Sequence, residues 1–405
     1  MANTTELSAE ELLASYTDEE AEGYAKEVGV DPRPNETISE IDERGAFIRQ
    51  PNAFIQPFGD KEGDLKAEAN RYAIYWATGC NWSNRPVIVR DLLGLQDVIK
   101  DQKTSHSGQT NKYGHGFGDQ PGHKDALTGA YFLSEFYKRA NPDFKGRATT
   151  PTLVDIIEKK AVNNDYHRLT NYLEVQFRPF QPKDAPDLYP KKFRKEIDEF
   201  NDWLFPHINN AHYRMAFCQS PEAYDEAYED FKESLDKLEK RLETNRFIFG
   251  DYITDSDVRA YVTLVRWDVS YYRNVGPIRP IREYKNIWGY IRELNTIPAF
   301  HNNSNARTLA EAGRRKSGAK LFRSYSDRIL PKVDFEKLWA YDGERRKLSK
   351  TPDELFLRHP ENETYEDYAG EISKTIWNSP DWADRNPKNG VLSVDASINP
   401  LKDLL

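Results

Sequence analysis

The stretch from Arg71 to Val175 constrains the fold more than any other part of this 405-residue chain. Tyr72, Ile74 and Trp76 alternate with smaller or polar neighbours, the period-two pattern of a strand. A turn, TGCNWSN, follows. Val87, Ile88, Leu92 and Leu95 then recur at helical spacing, which predicts a helix over residues 86–95 with Gly94 near its end. Pro86 has no backbone N–H and belongs in a first helical turn, so the helix is expected to open at Ser83 or Asn84. Residues 97–100 (DVIK) read as a second strand, 103–123 as a loop rich in Gly, Ser and His, and 125–140 as an amphipathic helix. A strand pair over 152–156 and 160–163 and a helix over 165–175 complete the series.

The order strand, helix, strand, helix, strand, strand, helix is that of a thioredoxin fold. From Tyr189 to about Phe300 the pattern turns helical. Ser220-Pro221 is a cap followed by proline at the first helical position. Tyr224, Ala227, Phe231, Leu235, Leu238 and Leu242 follow at three- and four-residue spacing. Thr254 to Asp257 resembles a capping box, with Ile253 and Val258 placed to staple it, and opens an apolar helix. The expected fold class is therefore an α/β thioredoxin-like N-terminal domain followed by an all-α domain. The expected boundaries are an acidic extension and lead-in over 1–64, the thioredoxin-like domain over 65–177, the helical domain over 178–305 and a C-terminal extension over 306–405. Residues 1–45 hold thirteen Asp/Glu against three Lys/Arg, with a short helix expected around Ala9–Ala14 and a loose DPRPNET segment. Trp339, Trp377 and Trp382 in the last segment suggest packing rather than a free tail, and Arg314-Arg315-Lys316 is most simply a solvated face.

A net charge of −9 argues against nucleic acid or an anionic membrane as partner, since both reward basic surfaces. No apolar run approaches the roughly 20 residues that cross a bilayer, and the acidic N-terminus lacks a signal-peptide layout. With only Cys80 and Cys218, a disulfide framework is not expected, and a reducing cytoplasm fits. Cys80 follows a strand and precedes a helix, where free amide N–H groups and the helix dipole favour a thiolate. Arg85 and Arg90 are close in sequence and could add positive potential, while Cys218 reads as a packing residue. His115 and His123 have no partner spacing for a metal, and none is expected.

At this point NRYAIYWATGCNWSNRPVIVRDLLGLQDVI resembles the glutathionyl-hydroquinone reductases, the Xi class of glutathione transferases. The family shows Cys-Pro-Trp-Ala followed by His-Arg; here Cys80, Trp82 and Arg85 match, while Asn81 and Asn84 replace Pro and His. GAFIRQPNAF at 45–54, NPDFKGRATTPTLVD at 141–155, NNAHYRMAFCQSPEAYDEA at 209–227 and FGDYITDSDVRAYVTLVRWDVSYY at 249–272 extend the similarity over about residues 45–305. The resemblance implies a glutathione-transferase-type helical domain, Cys80 as catalytic thiol, and Thr150, whose backbone pairs with glutathione, before a cis-Pro151. It further implies glutathione contacts at Trp82, Arg147, Ala148 and Asp165, and Tyr213 and Tyr271 lining the electrophile pocket. Tyr166 stands where the family has a serine, no tryptophan follows the second strand (His115 or Phe117 is nearest), and a third pocket tyrosine is missing near Arg314.

The implied activity is a thiol transfer in which Cys80 removes glutathione from a quinol thioether through a mixed disulfide. Glutathione would be the cosubstrate, a small thiol and an aromatic electrophile the partners, and a homodimer the assembly. Two alternatives stay open: a similar enzyme using another low-molecular-weight thiol, and a binding or scaffold protein that keeps the fold without catalysis.

Overall fold

The structure is a computed structural model that describes residues 17–28, 39–105, 113–275, 278–310, 334–370 and 372. The expected helix at Ala9–Ala14, the DPRPNET segment, Arg314 to Lys316, Trp377 and Trp382 lie outside these residues. A first helix α1 (Asp18–Glu27) is opened by Thr17, whose side chain accepts from the Glu20 amide.

Four strands, β1 (Tyr72–Trp76), β2 (Lys100–Lys103), β3 (Thr152–Asp155) and β4 (Lys160–Asn163), form one sheet in the order β2-β1-β3-β4. β1 runs parallel to β2 and antiparallel to β3, and β4 returns antiparallel to β3. The alternation in β1 sorts its side chains between two cores. Tyr72, Ile74 and Trp76 join a cluster with helices α2 (Asn81–Leu92) and α4 (Leu169–Val175), while Ala73 and Tyr75 pack with α3 (Leu133–Ala140) on the opposite face. Both faces are covered, so all of β1 is buried.

Four expected boundaries are corrected. α2 opens at Asn81, not at Ser83 or Asn84, with Cys80 as its cap. The Ser83 hydroxyl explains this: it donates to the carbonyls of Ala77 and Cys80, tying the first turn to the end of β1, and Pro86 is accommodated inside the helix. β2 lies three residues later than DVIK, because Leu95 to Ile99 form a turn that buries Ile99 and leaves the charged KDQK as the edge strand. α3 starts at Leu133 rather than Asp125, since the Asp125 carboxylate accepts the amides of Leu127, Thr128 and Ala130 and holds a turn. α4 starts at Leu169, after a similar turn at Asp165. Gly94 ends the α2 region with φ +68°, and a Cβ there would lie 2.8 Å from Pro182.

The following helices are α5 (Arg194–Leu204), α6 (Ala211–Phe217), α7 (Pro221–Thr244), α8 (Asp255–Trp267), α9 (Lys285–Asn295) and α10 (Pro298–Asn303). A π-helical turn, Phe205–Asn209, joins α5 to α6. Ser220 caps α7 by accepting the Ala223 amide. Asp257 closes the start of α8 by accepting from the Thr254 amide, and also takes the Ile248 amide. α2 packs against α8, so the sheet core and the helical core are one continuous cluster. The Cys80 end of α2 thereby faces the helical layer.

Residues 334–370 include α11 (Phe335–Trp339) and α12 (Tyr365–Tyr368) and are docked on the helices. Trp339 is buried against Trp288. The buried Arg345 guanidinium donates to the carbonyls of Leu242, Asn245, Arg246 and Asn286, closing the buried carbonyl end of α7. Tyr368 donates to Asp187, and Arg194 donates back to the Tyr368 carbonyl. Among the described residues no helix is long and apolar enough to cross a membrane.

Candidate active site

Cys80 is half-buried at the N-terminus of α2 and lines a cavity of about 740 Å³. Its carbonyl accepts the Asn84 amide to open the helix, while its Sγ–H lies 3.3 Å from the Thr150 carbonyl oxygen that accepts it. Thr150 precedes Pro151 through a cis bond. The cavity walls divide into two groups of side chains.

The first group is polar and held by the lead-in segment. Glu40 pairs with Arg147, and its other oxygen accepts the Gln50 amide at 3.0 Å. The Gln50 side chain clamps the Arg147 backbone, donating to its carbonyl and accepting its amide. The second group is aromatic. Trp82 packs with Phe205, Tyr166 and Tyr213. The Arg49 guanidinium lies 4.5 Å from the Trp82 ring centre and 4.4 Å from that of Tyr213, a double cation–π contact. Phe47 and the exposed Phe217 continue this wall.

Tyr213 and Tyr271 exchange a hydroxyl–hydroxyl bond of 3.1 Å, and Tyr213 also reaches Asn81 Oδ1 at 3.4 Å. Burial raises the pKa of both phenols, that of Tyr271 well above its usual value, so they persist as O–H groups. Burial likewise pushes Tyr166 up to about 12. His212 stacks on Tyr271 at 4.0 Å, and burial with the nearby Arg49 charge pushes it down to about 4.

Of the residues named from sequence, Cys80, Trp82, Arg147, Thr150, Tyr166 and Tyr213 line the cavity. Tyr271 reaches it through Tyr213. Ala148 and Pro151 are buried beside these without being among its lining residues, and Asp165 is a buried turn carboxylate that accepts the His167 amide. His115 lines the cavity, whereas Phe117 lies in the sheet core. Arg85 is fully buried, donating to Asn209 beneath Trp82, and Arg90 is committed to Asp91 and Asp101. Arg90 therefore adds no free positive charge at the thiol. Cys218 is half-buried, with burial raising its pKa and its thiol donating to the Met215 carbonyl. Among the described residues no group of three or more His, Cys, Asp or Glu could hold a metal. Glu40, Arg49 and Gln50 are cavity residues that the sequence patterns did not single out. The one available signal was their position in and beside GAFIRQPNAF, ahead of the first strand.

Residues 221–293 match the family described as the glutathione S-transferase C-terminal domain. The chain is 32% identical over 255 residues to the glutathionyl-hydroquinone reductase PcpF of Sphingobium chlorophenolicum, covering 62% of this chain and 79% of that protein. It is 33% identical over 271 residues to the glutathionyl-hydroquinone reductase YqjG of Escherichia coli, covering 64% and 82%. The chain belongs to the Xi-class glutathione transferases. It is a divergent member, given the substitutions around its cysteine. The Xi structure from Phanerochaete chrysosporium aligns at a TM-score of 0.66 with 29% identity, over 76% of this chain and 99% of that one. A structure of the Escherichia coli protein described as glutathione-bound aligns at 0.57 with 29% identity, over 67% and 90%. The sheet order and following helices are thus those of a Xi-class glutathione transferase, thioredoxin-like and then all-helical.

Proposed function

We propose that this Xi-class chain is a glutathione-dependent reductase of the glutathionyl-hydroquinone type with Cys80 as nucleophile. The observation that carries the reading is a half-buried sulfur at a helix N-terminus, on the wall of a cavity with one polar and one aromatic side. The names of the two curated relatives and the glutathione in the Escherichia coli structure support the substrate class.

The Cys80 thiolate attacks the sulfur of an aryl glutathione thioether. A sulfur–sulfur bond forms, the carbon–sulfur bond breaks, and its electron pair stays with the ring, which takes up one proton. The ring is thereby reduced and the two sulfurs oxidised. A second glutathione thiolate attacks the mixed disulfide, releases glutathione disulfide and regenerates Cys80. Tyr213, kept as a phenol by burial, hydrogen-bonds the quinol oxygen, and Tyr271 bonds the Tyr213 hydroxyl from behind and passes on the proton. The Thr150 backbone, with Trp82, Arg147, Ala148, Pro151, Asp165 and Tyr166, forms the thiol side by the family pattern.

Cys80→Ser tests this. Quinol release from a glutathionyl-hydroquinone, followed by liquid chromatography, is expected to vanish. The parent protein should take up one glutathione on Cys80 from glutathione disulfide, read by mass spectrometry. Undiminished turnover in the variant refutes the assignment. A second reading, another low-molecular-weight thiol as reductant, is favoured by Tyr166, whose ring packs on Trp82 where the family has a serine. Comparing thiols at equal concentration separates the two.

A further inference from the structure

The charge around the cavity is unusual for a chain of net charge −9. Three guanidinium groups near the site are bonded to asparagine amides instead of carboxylates: Arg49 to Asn210, Arg85 to Asn209 and Arg266 to Asn84. Among the described residues none of the three has a carboxylate at ion-pair distance. Of the cavity's lining residues, Glu40 cancels Arg147, which leaves Arg49 as the uncompensated cation.

Arg49 is also prepared for a specific kind of ligand. Its Nε–H is used by Asn210 at 2.8 Å, and that is its one hydrogen bond among the described residues. The guanidinium lies over the rings of Phe47, Trp82 and Tyr213, at 5.7, 4.5 and 4.4 Å from their centres. The terminal N–H groups remain for an acceptor from solvent or ligand. A fork of donors beside aromatic rings matches an anionic oxygen carried on an aromatic ring.

We propose that Arg49 is a specificity-determining residue that binds an ionised oxygen, phenolate or carboxylate, on the aromatic electrophile. The proposal deepens the reductase reading and rests on it for the substrate class. The polar cluster of Glu40, Gln50 and Arg147 is bonded within itself and belongs to the thiol side. Arg49 stands apart from it in the aromatic wall, where an aryl group stacks and presents its charged edge to the guanidinium.

The test is binding without turnover, by titration calorimetry on the full chain and on Cys80→Ser, with 2-naphthoate and its neutral isostere 2-naphthamide. A charged acceptor on a guanidinium gains about tenfold over a neutral one, so the carboxylate should bind about that much more tightly. Arg49→Gln should erase the difference while leaving the amide's affinity within about twofold, and Arg49→Lys should retain part of it. Glutathione affinity should change by less than the naphthoate preference in both. Equal affinities in the parent protein overturn the proposal without needing any variant to fold. So does Arg49→Gln weakening glutathione binding while the naphthoate preference survives, which assigns Arg49 to the thiol. Because no chemistry is read, the preference stands or falls separately from the Cys80→Ser turnover result.

Discussion

Glu40 occupies the guanidinium of Arg147, and on the proposed reading, in which Arg147 faces glutathione, a ligand carboxylate that reached it would compete with the protein's own. Glu40→Gln is the cleanest perturbation. Its amide oxygen can still accept the Gln50 N–H, so the lead-in segment stays pinned while the charge disappears. The Arg147 side chain is 42% exposed and that of Glu40 18%, a partly solvated pair. Such pairs are worth roughly 0.2–1 kcal/mol, and the more buried Glu40 places this one near the upper end. Releasing Arg147 should therefore tighten glutathione binding by up to roughly fivefold. Calorimetric titration of glutathione into both proteins measures this directly. Raising the salt to roughly 0.5 M should shrink the gap, because screening weakens the parent's internal pair. Unchanged affinity would refute competition, and weaker binding would instead make Glu40 the group that holds Arg147 in place.

Two further outcomes follow from buried charge. His212 is pushed down to about 4, whereas an unfolded histidine titrates near about 6.5. Between these values the unfolded chain takes up a proton that the folded chain refuses, so stability falls as pH drops through this window and is unaffected above it. His212→Phe keeps a ring on Tyr271 and should flatten that slope, worth up to about 3 kcal/mol by pH 4; a Tm-against-pH curve as steep as the parent's would contradict it. Arg345→Ala strips the donor from four carbonyls around the end of α7 and should cost about 3 kcal/mol in urea unfolding, with turnover at low temperature retained. A loss below about 1 kcal/mol would mean that water replaces the guanidinium.

The first strand was legible because Tyr72, Ile74 and Trp76 recur at period two and fill one core, while Ala73 and Tyr75 fill the other. The errors came from single side chains that outweighed local pattern. Ser83 anchors the first turn of α2 to the end of β1 and so admits Pro86 inside the helix. Asp125 spends its carboxylate on backbone amides and delays α3 by eight residues. The site was half legible. Cys80 and Tyr213 announce themselves through motif and chemistry, and both line the cavity. Arg49 and Glu40 do not, because they precede the first strand and have no periodic signature. Their importance arises only when the lead-in folds back across the cavity to meet Tyr213 and Arg147, more than a hundred residues away in sequence.

The docking of residues 334–370 bears on how the protein is made. Arg345 completes the end of α7 from a position 100 residues beyond Asn245, and Tyr368 reaches back 181 residues to Asp187. A nascent chain that has emerged from the ribosome only through α10 already carries Cys80 and the whole cavity wall. It still lacks Arg345 and Tyr368, which donate to carbonyls at the end of α7 and to Asp187. Closure of that layer thus waits for residues 334–370, and a stop codon ahead of α11 would release a polypeptide with Cys80 in place and the carbonyl end of α7 without its Arg345 donor.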